Sequence, residues 1–417
     1  MKIEKFILKN GSTLLAIPFS APSVFVSAWV KSGYRFDPPN KSGLNHFIEH
    51  LSFRGTKKYP TAKSLHEVLE RYGIHSQAFT SQDFIKYWVK SGPRDFKIAI
   101  DVLFERLFFS LFREEDINRE KEIVKEELRI LKSNPSQYIW EVWSENIWQD
   151  TELGRTYLGS EESIKNFTRD DIKIFIGHRY APQNITYVVA GDINSSEVFK
   201  LFNSKYNLDK EEKEIHQSLV LERKNPIKII EQAQETVTVA YGFLTCHFLN
   251  KDKFSLEVVA SYLGGGWSSV LKRKLNGKGL TYSIEVYAYY ISDTGYLMFL
   301  FTSLPKNVSK IIEIVNEEIN LIKKGKISQK DFMRAKGYIK GEIIINTESS
   351  SDFADWYGYQ ALISPKPPLS LSDYCQLIDK ISNEEIQLVS QKYFNDKNWY
   401  LSAIGKIKEK DIKFSPI

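Results

Sequence analysis

Two histidines and a glutamate lie close together in the segment His46-Phe47-Ile48-Glu49-His50. On a helix, positions i and i+4 lie on one face about a turn apart, so two imidazoles there can reach a single metal ion. Glu49 falls on the same side, where a carboxylate beside the metal can take a proton from water. The pattern therefore predicts a metal site suited to general-base hydrolysis.

The opposite interpretation is that these side chains only cover a solvated helix face. About 0.015 matches to this pattern, the inverted zincin motif, are expected by chance in a chain of 417 residues with seven histidines and 52 acidic residues. Short motifs still produce false positives, so a third ligand is needed to strengthen the prediction.

A helix predicted over 116–131 carries several acidic residues. Glu120 and Glu127 are seven positions apart and project from one face, beside an apolar stripe. Glu127 could complete a His₂Glu site that leaves one position open for water. Spacing alone favours a different interpretation, an acidic solvated face that also includes Glu122 and Glu126.

Composition narrows the class of protein. Hydrophobic residues make up 42% and charged residues 26%, which is typical of a globular protein and excludes disorder, collagen and coiled coil. The net charge of +5 is too small to indicate a nucleic-acid partner. Cys246 and Cys375 are far apart in sequence and predict neither a disulfide framework nor a thiolate metal site. Because the sequence shows no apolar leader and no run of 18 apolar residues, we expect a cytoplasmic protein without membrane spans.

The order of predicted elements repeats along the chain. Strands, a helix, an aromatic strand region and further helices occur in each half, which is typical of a duplicated domain. A strongly charged stretch at 209–225 separates the halves. We therefore predict an α+β protein of two similar domains, 1–208 and 226–417. Each is a mostly antiparallel sheet flanked by helices, and 209–225 is the linker.

The metal motif resembles that of the pitrilysin-like zinc peptidases, which include insulin-degrading enzyme and the β-subunit of mitochondrial processing peptidase. Glu127 follows His50 by 77 residues, which is the spacing of the family. Further segments that resemble the family run through nearly the whole chain: Gly43, Phe53-Arg54-Gly55-Thr56, Leu153-Gly154-Arg155, Leu158-Gly159, Tyr180, Asn184, Ala190-Gly191-Asp192, Leu263-Gly264-Gly265-Gly266 and Gly279-Leu280-Thr281-Tyr282-Ser283.

The resemblance implies a role for each residue of the motif. His46, His50 and Glu127 would bind zinc, and Glu49 would activate the attacking water. Glu120 would be a supporting carboxylate next to the ligands. In its function, the chain would be a zinc-dependent endopeptidase.

Two further segments resemble the parts of the family that contact substrate. Gln77, Ala78 and Phe79, followed by Thr80, look like the edge strand to which an extended peptide adds by main-chain hydrogen bonds. Tyr282 looks like the tyrosine that contacts substrate from the second half. From their pattern alone, the first segment is equally well an ordinary strand, and the tyrosine a structural aromatic.

The sequence departs from the family at two of these positions. Gln77 stands where the family usually has Asn. Leu275 lies seven residues before Tyr282, where the family has an Arg that acts with the tyrosine. The nearest basic residues are Arg273 and Lys274, and either would need a shifted backbone to substitute.

These observations lead to one main function and one alternative. The main hypothesis is a zinc endopeptidase for extended peptides or unfolded segments. The alternative is a non-catalytic scaffold or core subunit of a larger complex, although such members of the family usually lose the metal residues. We also expect a dimer, and favour a heterodimer in which a sister chain supplies the Arg and Tyr. A homodimer that uses Arg273 or Lys274 is the competing prediction.

Overall fold

The computed structural model describes residues 3–205, 225–281, 283–415 and 417, so most of the linker expected at 209–225 lies outside the described residues. The described residues form two compact units. The first unit takes its residues from Met1–Arg129, Arg155–Ser218 and Asn346–Leu369. The second takes them from Ile130–Gly154, Leu219–Ile345 and Ser370–Ile417.

The first unit is built on one sheet. Its strands within the described ranges are β1 Glu4–Ile7, β2 Thr13–Pro18, β3 Val24–Val30, β4 His75–Thr80, β5 Ile85–Ser91 and β6 Ile185–Gly191. Their order is β1-β2-β6-β3-β5-β4, so β4 is an edge strand. Neighbouring strands are antiparallel except β2 and β6.

Helices make up most of the remaining described structure. Their bounds are α1 Leu44–Leu51, α2 Ala62–Arg71, α3 Phe96–Phe108, α4 Glu114–Ser133, α5 Pro135–Ile147, α6 Glu161–Lys165, α7 Arg169–Arg179, α8 Ser195–Lys205, α9 Asp252–Gly264, α10 Val270–Asn276, α11 Val308–Lys323, α12 Gln329–Ile345, α13 Ser350–Ile363, α14 Leu371–Lys380 and α15 Asn383–Tyr393. None of these helices has both the length and the apolar character needed to cross a bilayer.

The second unit repeats the arrangement with a smaller sheet. Its described strands are β7 Ile227–Glu231, β8 Val237–Thr245, β9 Ile284–Tyr290, β10 Gly295–Ser303 and β11 Trp399–Gly405. They lie in the order β7-β11-β8-β10-β9, with β7 and β11 parallel and the other pairs antiparallel. The predicted fold class is therefore confirmed: two mostly antiparallel sheets with flanking helices.

Each unit contains a helix from the other half of the sequence. In the second unit, Val142 and Trp143 of α5 are fully buried in a cluster with Met298 and Tyr400 of its sheet. In the first unit, Ala354, Tyr357 and Ala361 of α13 pack on Leu15, Phe25, Trp29 and Val188. The ranges expected for the domains, 1–208 and 226–417, are continuous, and the compact units differ from them by these exchanged segments.

A glycine allows α13 to approach the sheet of the first unit closely. A Cβ on Gly358 would lie 2.4 Å from the indole ring of Trp29, well inside van der Waals contact. Side chains of successive strand residues point to opposite faces. On β5, Trp88 packs with the α13 cluster, whereas Tyr87 points toward Arg106 of α3. Helices α3 and α13 therefore cover opposite faces of the sheet.

Candidate active site

The helix that carries the motif is short and firmly anchored. Its four apolar residues are fully buried: Leu44, Phe47, Ile48 and Leu51. It begins after Gly43, whose φ is +90°, and a Cβ at this position would lie 2.5 Å from the Leu158 carbonyl oxygen. Only glycine meets both requirements without strain. The packing of α1 therefore fixes the direction in which its histidines point.

A buried carboxyl group also holds the first turn of α1. Asp37 accepts hydrogen bonds from the backbone nitrogens of Gly43 (2.7 Å) and Asn45 (2.9 Å), and from Asn45 Nδ2 (2.9 Å). Burial raises the pKa of Asp37 to about 7, although the hydrogen bonds oppose the shift. Asn45 precedes His46, so this contact fixes the backbone next to a candidate ligand.

The structure brings three candidate ligands of the motif together. His46 Nε2 lies 3.9 Å from Glu127 Oε1, and His50 Nε2 lies 3.5 Å from Glu127 Oε2. One ligand atom from each residue lies within 4.8 Å of the others. Zinc bonds of 2.0–2.1 Å in a tetrahedron place neighbouring ligand atoms about 3.3 Å apart. Both the His₂Glu donor set and its spacing therefore fit zinc.

The two histidines differ in their electrostatic surroundings. Burial, together with the nearby His50, lowers the pKa of His46 to about 3, so His46 is neutral near pH 7. For His50, burial alone would lower the pKa, but the hydrogen bond that its ring donates to Glu120 and the charge of Glu127 raise the pKa overall. Neutral imidazole is the form that binds a metal. A metal ion would therefore have to displace the proton on Nε2 when His50 is protonated, while the proton on Nδ1 stays with Glu120.

Glu120 orients His50. Its Oε2 lies 3.1 Å from His50 Nδ1, which leaves Nε2 directed at Glu127. Arg54 Nε donates to the other oxygen of Glu120. The Glu120 side chain is fully buried, and its bonds to His50 and Arg54 lower its pKa although burial opposes this. A carboxylate that accepts from a ligand histidine is a common device for fixing the ring and its tautomer.

The acidic-face interpretation of α4 holds for part of the helix only. Glu122 and Glu126 are exposed and pair with Lys125 and Arg129 on the same helix. Glu120 and Glu127, by contrast, face α1 and contact its histidines. The periodic spacing could not separate the two pairs, because the distinction depends on how α4 packs against α1.

Glu49 lies beside the ligand group rather than within it. Its Oε2 accepts a hydrogen bond from the Thr80 hydroxyl at 2.5 Å. Burial raises the pKa of Glu49, while the Thr80 bond opposes the shift. A carboxylate with a raised pKa and one oxygen held by a donor is well placed to accept a proton on its other oxygen.

The segment expected to bind substrate is the edge strand β4. Gln77 and Phe79 are exposed, and Phe79 retains 54% of its accessible surface. Ala78 and Thr80 lie on the opposite face, where Thr80 reaches Glu49 of α1. Strand β4 pairs with β5 as an antiparallel hairpin.

In the second unit, Tyr282 lies outside the described residues. Leu275, seven positions before it, is fully buried. Arg273 forms a two-pronged ion pair with Asp331, at 2.9 and 2.8 Å, and Lys274 pairs with Glu318. Both basic residues nearest to the position of the expected Arg are therefore engaged in ion pairs within their own unit.

Sequence reasoning assigned no role to three residues that shape the site. They are Asp37 at the start of α1, Arg54 beside Glu120, and Arg106 of α3, which lies under β4. For Arg106, one feature of the sequence is informative: a charged residue lies at helical spacing between the apolar Leu103 and Leu107. Such a residue on a buried stripe is costly unless it is bonded, so it indicates a specific role.

Comparison with known proteins places this site in a family. Residues 16–161 match the family model described as insulinase, peptidase family M16, and residues 166–338 match that of the peptidase M16 inactive domain. The uncharacterised zinc protease YmxG of Bacillus subtilis is 26% identical over 94% of this chain and 96% of its own length. The mitochondrial-processing peptidase subunit beta of Bos taurus is 25% identical over 96% of this chain and 84% of its own length.

A solved structure extends the likeness to the fold. It is described as a protease from Helicobacter pylori and has a TM-score of 0.89 at 24% identity, covering 97% of this chain and 99% of its own. Family models match both halves of the chain, and relatives match it along nearly all of its length. This chain therefore belongs to the pitrilysin-like peptidase family M16.

Proposed function

We propose that this chain is a zinc-dependent endopeptidase that hydrolyses extended peptides or unfolded segments, with Glu49 as the general base. The main support for the proposal is that ligand atoms of His46, His50 and Glu127 lie close enough together to bind one zinc ion, with Glu49 beside them. The zinc-protease names of relatives support the same class of reaction.

The chain's own residues divide the work of hydrolysis. His46, His50 and Glu127 would hold the metal, which, when bound, makes a water molecule nucleophilic near neutral pH and polarises the scissile carbonyl. Glu49 accepts the proton of that water with one oxygen, while Thr80 holds the other. Glu120 keeps His50 Nε2 directed at the site.

The free edge of β4 supports an extended substrate. A peptide that adds to an edge strand takes its affinity from main-chain hydrogen bonds, so many sequences can bind. Thr80 ends this strand and touches Glu49, which brings the added peptide to the general base. A folded protein could offer such a strand only after local unfolding, so extended or unfolded segments are the expected substrates.

We also propose that the chain works as a dimer, and favour a heterodimer. Leu275 is buried where the family has an Arg, and Arg273 and Lys274 are engaged elsewhere. A sister chain that brings an Arg and a Tyr would complete the site. The non-catalytic scaffold remains the alternative function, but no contact among the described residues favours it, and all four residues of the metal and base set are present.

The test of the proposed function compares Glu49→Gln with wild type. The amide keeps the shape of the carboxylate but cannot accept the proton, so hydrolysis of fluorescein-labelled casein should fall by about 10²- to 10⁴-fold. Zinc content, measured by atomic absorption, should be unchanged. Glu67→Gln, on the exposed face of α2, is the matched control and should leave both unchanged. A wild-type chain that binds no zinc would favour the scaffold alternative.

A further inference from the structure

Arg106 is a buried cation without an opposite charge in contact. It lies on α3 with 1% of its surface exposed, and no carboxylate oxygen of the described residues lies within salt-bridge distance of it. Its Nε is buried and has no hydrogen-bond partner there. The Glu49 carboxylate attracts Arg106 electrostatically but forms no ion pair with it. Removing a charge from water without an ion-pair partner costs several kcal/mol, so such a residue is rarely a packing element alone.

The other nitrogens of Arg106 connect two elements of the site. Nη1 donates to Ser76 Oγ and, at 3.5 Å, to the Gln77 carbonyl oxygen, both on β4. Nη2 donates to Ser52 Oγ at 3.1 Å, and Ser52 caps the end of α1 and donates to the Glu49 carbonyl oxygen at 2.7 Å. One planar guanidinium thus joins the beginning of the edge strand to the end of the metal-binding helix.

The flat face of the Arg106 guanidinium packs on an aromatic ring. Its guanidinium carbon lies 3.5 Å from the centre of the Phe53 ring, in a cation–π stack that fixes the plane of the fork. A flexible lysine could carry the charge, but it could not keep two hydrogen-bonding arms in one plane. The arrangement therefore depends on the shape of arginine as well as on its charge.

The two ends of β4 are both tied to α1. Arg106 joins the start of the strand at Ser76 to Ser52, and Thr80 joins its end to Glu49. A peptide that adds to the free edge of β4 takes its position relative to the metal ligands from β4. The distance of its scissile bond from His46 and His50 therefore depends on these two contacts as well as on the pairing of β4 with β5.

We propose that Arg106 is a positioning residue that fixes the substrate-binding edge strand against the metal-binding helix. The proposal rests on the proposed endopeptidase function, because it assigns β4 to the peptide. It adds that peptide affinity depends on a side chain that touches neither the peptide nor the metal.

The experiment compares Arg106→Met and Arg106→Lys with wild type, all loaded with zinc. Hydrogen exchange of the β4 amides should quicken by about tenfold or more in both variants, since each loses one tie of the strand. In Arg106→Lys, which keeps the positive charge near Glu49, the KM for an extended peptide that the wild type cleaves should rise by about tenfold, with kcat changed by less than about threefold, because ground-state placement is lost. Zinc content should not change.

Two further variants keep the test decisive. Ser76→Ala removes one arm at a half-buried position and should shift β4 exchange in the same direction, even if Arg106→Met does not fold. Arg179→Met is the matched control, because Arg179 also stacks on an aromatic ring, that of Phe36 at 3.9 Å, and donates a hydrogen bond to the Lys31 carbonyl oxygen next to β3. Its β4 exchange and KM should equal those of wild type.

The proposal is overturned if β4 exchange and KM are unchanged in the Arg106 variants, or if Arg106→Lys restores both to wild-type values. Failure of the proposed function looks different. A wild-type chain that holds zinc but cleaves peptides no faster than its Glu49→Gln variant would count against the endopeptidase. The exchange comparison and peptide binding to the Glu49→Gln background would then still decide the role of Arg106.

Discussion

The hydroxyl of Thr80 lies 2.5 Å from Oε2 of Glu49 and so joins the end of the edge strand to the proposed general base. The contact does two things. It occupies one oxygen of the carboxylate, which leaves the other to accept a proton. It also favours the ionised form of Glu49, against the burial that raises its pKa.

Thr80→Val should therefore lower kcat more than it raises KM. Valine keeps the shape and strand preference of threonine but cannot donate, and a hydrogen bond to a charged group is worth about 1.5–3 kcal/mol, or about 10- to 100-fold in rate. Thr80→Ser, which keeps the hydroxyl, should retain most of the activity. Steady-state kinetics on casein-derived peptides would measure this, and equal rates for the valine and serine variants would contradict it.

Glu127→Gln should lower zinc content. The carboxylate is one of three protein ligands in the proposed site, and the neutral amide is a poorer ligand, so affinity should fall by at least about tenfold. Glu126→Gln is the control, because the neighbouring Glu126 pairs with Arg129 on the surface. Zinc would be measured after dialysis against a mild chelator. Equal stoichiometry in both variants would remove Glu127 from the ligand set.

Glu120→Gln should weaken zinc binding without removing a ligand. The amide loses the charge that holds His50 Nδ1 and Arg54, so the ring is less firmly directed, and affinity should fall by about 10- to 100-fold. The control is Glu122→Gln, an exposed partner of Lys125. Competition with a fluorescent zinc chelator would give both affinities, and wild-type affinity for Glu120→Gln would contradict its supporting role.

The motif could be read from the sequence because its residues lie within one helical turn. His46, Glu49 and His50 share a face by spacing alone, whatever the rest of the chain does. Glu120 is different, since its contact with His50 spans 70 residues and depends on the packing of α4 against α1. Spacing could not separate it from Glu122, so only the family resemblance indicated its role.

The exchanged helices show a similar limit. An apolar helix face such as that of α5 or α13 does not say in the sequence which sheet will cover it. Trp143 lies in the first half of the sequence and packs in the second unit, while Tyr357 does the reverse. The element types and the repeat were predictable, whereas this long-range choice was not.

Asp37 should make stability depend on pH. Its pKa is about 7 in the folded protein, against an ordinary value of 3.8, because of burial. Between these values the folded state binds more protons than the unfolded state, so the contribution of this group to the free energy of unfolding falls as pH rises from about 4 to 7. Asp37→Asn should remove that fall. Between pH 5 and pH 8, the free energy of unfolding of the variant should therefore rise relative to that of wild type by on the order of 2 kcal/mol.

Urea unfolding at pH 5 and pH 8 would measure the effect. The amide also loses hydrogen bonds to Gly43 and Asn45, a penalty that is the same at both pH values and cancels in the comparison. Asp171→Asn is the control: the Lys41 and Thr168 bonds lower the pKa of Asp171, so its contribution is lost only below pH 4. A wild-type pH dependence retained in Asp37→Asn would contradict the prediction.

The dimer proposal predicts how the isolated chain behaves. Because Leu275 is buried and Arg273 is paired with Asp331, the chain alone should bind zinc yet hydrolyse casein slowly. Arg273→Ala and Tyr282→Phe should then leave this residual rate within about twofold, since neither side chain completes the site of its own chain. Light scattering would give the oligomeric state of the same samples. A homodimer with high activity that falls about 100-fold in either variant would show instead that this chain supplies its own clamp, and the heterodimer proposal would be abandoned.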